Sequence, residues 1–175
     1  TSAYVNGATS GETHRGPPGG RMSTNPVDRL PDFMQADAEA KVNRLREACR
    51  EAGVALPDDP EFHHQLAAVL AFSDFVAERC TRRPRLLTDL TDSGDLQHAS
   101  GAGEYAARLA RALEGVAEVT DLGLRLRRFR GREMVRIAWR DLAGLSDLTE
   151  TTANLSALAE ACLDHALAWL YRWQS

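Results

Sequence analysis

"RLRRFRGREMVRIAWRDL", residues 125–142, decides both the fold and the functional question of this chain. Seven arginines fall within the sixteen positions from Arg125 to Arg140. Between them Val135, Ala138, Trp139, Leu142 and Leu145 recur at intervals of three and four, with Met134 and Ile137 beside them. That spacing predicts a helix whose packing residues are Met134, Val135, Ile137, Trp139 and Leu142. Arg125, Arg128, Arg132, Arg136 and Arg140 advance by three or four along a second line. The expectation is an amphipathic helix carrying an arginine ridge. Glu133, three residues before Arg136, and Asp141, directly after Arg140, interrupt the positive charge.

The same period extends outward in both directions. Ala38, Val42, Leu45, Cys49 and Ala52 form one stripe, and Gly53 stands where a left-handed helix cap belongs. Asp59 before Pro60 reads as an N-cap followed by proline at the first helical position. A second helix then carries Phe62, Leu66, Val69, Leu70, Ser73 and Val76 on one broad face, widened by Phe72 and Phe75. It is expected to stop before Pro84. "PRLLTDL" allows a further turn or two, and "TDSGDLQHASGAG" is a loop by composition. Tyr105, Leu109, Ala112, Leu113 and Val116 mark a third long helix, and the arginine stretch is the fourth. The fifth opens at "SDLTE", with Asp147 and Glu150 spaced as a capping box. Its stripe runs through Leu155, Leu158, Cys162, Ala166, Trp169 and Trp173.

No stretch sustains the two-residue alternation of a strand. The predicted fold is all-α, a bundle of about five helices over residues 32–175. Residues 1–31 are rich in Gly, Pro, Ser and Thr and show no period, so they are expected to be a disordered tail. Met22 opens a more ordinary sequence, and residues 1–21 are expected to lie before the natural start.

Composition narrows the function classes. With 175 residues, 43% of them hydrophobic and 26% charged, the chain has the balance of one globular domain with a core. Its net charge of −4 does not attract phosphate backbones, and no zinc-finger or helix-turn-helix spacing accompanies the arginines. No nucleic-acid partner is expected. Apolar runs fall short of the roughly 20 residues that span a bilayer, so no membrane partner is expected and the location is read as cytoplasmic. Cys49, Cys80 and Cys162 are too dispersed for a metal site and read as reduced, packed thiols. His63 and His64 are adjacent and so diverge around a helix instead of pairing on a metal. No catalytic constellation and no metal site is expected.

The arginine ridge admits three readings: a solvated face, a docking surface for acidic groups, or a nucleic-acid contact. Lysine would solvate a face equally well, yet Lys41 is the only lysine here. Arginine's planar fork suits fixed pairs with carboxylates. Arg128, Arg132, Arg136 and Arg140 are therefore candidate docking residues.

Residues 127–167, "RRFRGREMVRIAWRDLAGLSDLTETTANLSALAEACLDHAL", resemble the bifunctional glutamine synthetase adenylyltransferase/adenylyl-removing enzymes. "FSDFVAERCTRRPRLLTDL", residues 72–90, is similar to the early helical region of the same family. The resemblance implies two tandem nucleotidyltransferase units. One removes AMP from a tyrosine of glutamine synthetase by phosphorolysis, releasing ADP, and the other transfers AMP from ATP onto it. It further implies Mg2+, ATP and ADP in the full-length enzyme, with glutamine synthetase and a PII signalling protein as partners. The family's paired-aspartate D-x-D signature is absent: Asp89, Asp92 and Asp95 have the wrong separation. No catalytic residue is carried over. Gly131, where the family more often has a basic residue, and Arg85, where an acidic one is expected, depart from the pattern. The resemblance thus implies a helical region preceding the adenylyl-removing nucleotidyltransferase domain, inactive by itself. The alternatives are a stand-alone helical protein-interaction module without catalysis and, ranked below it, a nucleic-acid-binding helical domain.

Overall fold

A computed structural model of the chain describes residues 26–174. A 3-10 turn, Pro26–Arg29, precedes seven α-helices: α1 Asp32–Glu51, α2 Pro60–Phe72, α3 Asp74–Arg82, α4 Pro84–Asp92, α5 Ala102–Ala112, α6 Val119–Leu142 and α7 Leu148–Gln174. No strand occurs among the described residues. The fold is all-α, as the periodicity predicts. Of the expected tail, residues 1–25 lie outside the described residues, whereas residues 26–31 are built into the fold. Val27 is buried in the core and Leu30 packs against it, which supplies the apolar anchor that the tail's composition concealed.

Local chemistry sets the helix ends. The Asp59 carboxylate accepts from the backbone N–H groups of Glu61 (3.3 Å) and Phe62 (3.1 Å), opening α2. At the end of α1, Val54 N–H reaches the Cys49 carbonyl (2.9 Å) and Gly53 N–H reaches that of Arg50 (3.2 Å). This paired closure needs the positive φ of Gly53, +63°. Gly144, at φ +70°, closes α6 in the same way through Leu145 N–H to the Arg140 carbonyl (2.7 Å).

Five expected helices become seven because the second one breaks in two and "PRLLTDL", expected to give a further turn or two, forms α4. Ser73 adopts an extended conformation, φ −139° and ψ 99°, and its hydroxyl accepts from Val76 N–H (3.2 Å) to cap α3. The apolar phase runs through the break, so periodicity alone does not reveal it. Ser-Asp at positions 73–74 is the cap signal that does. Phe72 and Phe75, expected to widen the buried face, are exposed because the break turns them outward.

The larger departure concerns α6. Instead of one apolar face and one wet ridge, it has core on two sides. Val135 and Trp139 join a cluster built from α1–α4, including Leu45, Leu66, Leu70 and Leu87. Phe129 and Ile137 join a second cluster with Tyr105, Leu109 and Leu158 from α5 and α7. Trp139 is fully buried, stacked on Phe62 with centroids 5.4 Å apart, and its Nε1–H donates to Gln65 Oε1 (3.3 Å). Met134 packs against the second cluster and Leu142 against the first. The helix is the shared spine of both cores. The lone lysine is buried too: Lys41 reaches Asp37 and Asp74, each at 2.6 Å.

Candidate functional site

The arginines of α6 divide into an inner ladder and an outer rim. Arg132, Arg136 and Arg140, each one turn beyond the last, fasten the loop between α4 and α5 onto the spine. Arg132 donates to Asp95 and, through Nη1, to Glu133 Oε1 (2.7 Å). Arg136, with no exposed surface, donates from Nε to Glu133 Oε2 (2.8 Å), from Nη1 to the His98 carbonyl (3.1 Å), and from Nη2 to the Tyr105 hydroxyl. Arg140 donates to the Leu96 carbonyl (3.1 Å), the Leu145 carbonyl (2.9 Å) and Glu150 Oε1 (2.9 Å). Each guanidinium satisfies a backbone carbonyl or carboxylate that packing has removed from water, as a buried charge requires.

Around the ladder the polar groups complete one another. The Tyr105 hydroxyl donates to Asn154 Oδ1 (2.8 Å), and the Arg108 and Arg136 guanidiniums each lie 5.4 Å from its ring centroid. Glu133, also fully buried, meets Arg132, Arg136 and Arg108. Burial pushes the Asp95 carboxyl up, but the hydrogen bond and charge of Arg132, with Ser93 and Arg108, outweigh it and hold Asp95 below its ordinary value. Burial pushes the Tyr105 phenol up. Glu150 explains why the predicted capping box is half formed. Asp147 caps Glu150 N–H (2.7 Å), while the Glu150 carboxylate turns to Arg140.

Of the four candidate docking residues, Arg136 and Arg140 therefore lie inside the chain, because their donors are spent on its own loop. A buried guanidinium cannot reach a second domain. Arg132 is partly exposed and anchored, and Arg128 is exposed. Sequence reading missed the loop partners Asp95, Leu96 and His98, which lie more than thirty residues upstream in polar sequence.

The outer rim faces a groove of about 1000 Å³ between α4 and α6. Arg83 and Arg85 stand on its α4 side and Arg125, Arg128 and Arg132 on its α6 side, over Leu86 and Phe129, with Asp89 as the one acidic lining residue. A different surface, on α7, is apolar. Leu163 is 64% exposed and Leu167, one turn later, 52%, with Tyr171 and Trp173 also exposed. Trp169 is anchored to the Val116 carbonyl (3.2 Å) and stacks on Trp173.

Among the described residues no group of three or more His, Cys, Asp or Glu is placed to hold a metal ion. No helix among them is long and apolar enough to cross a membrane. The described residues thus form an all-α module with a buried polar interior and two distinct exposed surfaces. Residues 63–175 match the family model described as glutamate-ammonia ligase adenylyltransferase. The chain is 42% identical over 149 residues to the bifunctional glutamine synthetase adenylyltransferase/adenylyl-removing enzyme of Nitrosococcus oceani, covering 85% of this chain and 15% of the relative. The protein of the same name from Pseudomonas aeruginosa is 47% identical over 158 residues, 87% of this chain and 16% of the relative. That of Thioalkalivibrio sulfidiphilus is 40% identical over 145 residues, 83% and 15%. The chain belongs to the glutamate-ammonia ligase adenylyltransferase family, and it spans about 15% of the length of these relatives.

Proposed function

We propose that this chain is the helical region that precedes and supports the adenylyl-removing nucleotidyltransferase domain of a bifunctional glutamine synthetase adenylyltransferase/adenylyl-removing enzyme. The carrying observation is the exposed apolar face of α7, centred on Leu163 and Leu167. An apolar face of this kind gains free energy by being covered. The rest of a protein several times longer is its natural cover. In this reading the assembled enzyme acts in the cytoplasm on glutamine synthetase, removing and adding AMP, with a PII signalling protein adjusting the balance.

The Mg2+ and ATP or ADP of that chemistry do not fit the residues described here. Asp95 is committed to Arg132, and no acidic cluster with metal-binding geometry is present among the described residues. No catalytic step is assigned to them. Residues 22–175 alone are expected to release neither AMP nor ADP from adenylylated glutamine synthetase.

The decisive test places Leu163→Asp with Leu167→Asp in the full-length enzyme. Adenylyl removal should fall sharply, while circular dichroism and thermal midpoint of the 175-residue chain stay unchanged, because both side chains already face solvent. Full adenylyl-removing activity in the double variant would refute the supporting role of this face.

A further inference from the structure

Three arginines of the groove rim have no purpose inside the fold. Arg83, Arg85 and Arg128 are exposed, and none of their side chains forms a hydrogen bond or ion pair with the described residues. The other two are fixed in place. Arg125 is held by Asp121 (3.0 Å) and the Glu114 carbonyl (2.9 Å), and Arg132 by Asp95 and Glu133. Arg125 with Arg128, and Arg128 with Arg132, stand three and four residues apart on one helix, where like charges repel. A positive concavity is thus maintained on a chain whose net charge is −4. An acidic occupant would relieve the repulsion, and the field would draw it in.

We propose that the groove between α4 and α6 is a docking site for an acidic amphipathic polypeptide segment, with carboxylates on the arginine rim and apolar side chains on the Leu86–Phe129 floor. Two observations favour a polypeptide over a nucleotide or free phosphate. The arginines come from both α4 and α6 and share the lining of an open groove with Leu86 and Phe129, which suits side chains alternating in character. The start of α4 also lacks a phosphate cradle: Pro84 has no N–H, and the Leu86 N–H is taken by the Arg83 carbonyl (2.9 Å). The site uses no residue of α7 and stands whether or not that face supports a catalytic domain.

The test measures anisotropy of a fluorescein-labelled amphipathic Glu/Leu peptide titrated with the full 175-residue chain, with ATP and tripolyphosphate as competitors. Saturable binding that weakens with salt is expected. Arg85→Glu with Arg128→Glu should weaken it roughly tenfold or more, since like charges then face each other. Neither side chain has a partner to lose, so the fold should be kept, and circular dichroism checks this. Arg46→Glu, an exposed charge outside the groove, should leave affinity unchanged and controls for net charge. Leu163→Asp should also leave it unchanged, which separates failure here from failure of the α7 reading. The proposal is overturned by absent saturable binding, by equal weakening in Arg46→Glu, or by ATP or tripolyphosphate displacing the peptide at lower concentration than the unlabelled peptide does.

Discussion

Glu133 and Arg136 meet inside the bundle with no exposed side-chain surface on either, Nε to Oε2 at 2.8 Å. They stand one turn apart on the helix that both apolar cores share, and they divide its polar contents between them. The loop from α4 to α5 is fastened to the helix by this pair and its neighbours, while its own Gly94, φ +72°, makes its turn. The arginine run is therefore chiefly an architectural device, and only its outer members are free to meet another molecule.

Removing the Arg136 charge should be costly. Arg136→Met keeps most of the side-chain volume but strips Glu133, the His98 carbonyl and the Tyr105 hydroxyl of a shared donor. Breaking a buried pair from one side costs about 3–5 kcal/mol. Urea unfolding should show a loss of stability of that order, and the α4–α5 loop should lose amide protection first. A shift no larger than that of Arg128→Met would mean the ladder carries no structural weight.

Much of this architecture is legible in sequence, and the illegible parts have separate causes. Helix ends are legible at Asp59 with Pro60, Gly53, Pro84 and Asp147, each a local cap or stop signal. The Ser73 break was hidden because the apolar phase continues from Val69 and Leu70 to Val76 across it. The burial of Arg136 and Arg140 could not be read at all. Their partners His98 and Leu96 contribute backbone carbonyls, which carry no residue-type signal, from a loop 38 and 44 positions away. The rim was half visible. Arg128 belongs to the ridge, but Arg83 and Arg85 reach the same groove only through the chain reversal at α4.

Acid should loosen the ladder at Asp95. Folding holds this carboxyl below the ordinary aspartate value of 3.8, although burial pushes the other way. The unfolded chain then binds the proton at higher pH than the folded one. The stabilisation is complete above 3.8 and is lost as pH falls through the lower folded value. Compared with the parent, Asp95→Asn should be less stable at neutral pH, and the gap should narrow as acid is added. A gap independent of pH across that range would show that the Asp95 charge does not contribute.

The thiols should react in order of access. Cys80 is fully buried and its thiol is pushed up to about 12, by burial first and then by neighbouring Cys49. Burial also raises Cys49 and Cys162, but Cys162 is only half-buried and Arg130 works against its shift. Since the thiolate is the reactive form, a chromogenic disulfide reagent at neutral pH should label Cys162 first. Cys80 should respond only on unfolding. Rapid native labelling of Cys80, located by peptide mapping, would contradict the packing of α3 described above.

Gly131 offers the sharpest test of packing around the spine. A glycine inside a helix costs about 1 kcal/mol relative to alanine, yet this one is buried in the middle of α6. The reason is the Arg79 guanidinium, which lies against it: a Cβ at position 131 would sit 3.1 Å from Cζ. Arg79 also covers the Phe75 ring, 5.6 Å from its centroid, near the surface, so it has room to retreat by a few tenths of an ångström. Gly131→Ala should therefore gain less than the full helical increment, because displacing Arg79 offsets part of it. In an Arg79→Ala background the same change should gain the whole of it, about 1 kcal/mol. Gly131→Leu must expel the guanidinium altogether and should destabilise. Chemical denaturation of the four chains in the Gly131–Arg79 cycle measures the coupling. Equal increments in both backgrounds would show that α6 tolerates a side chain at 131 whatever α3 places against it.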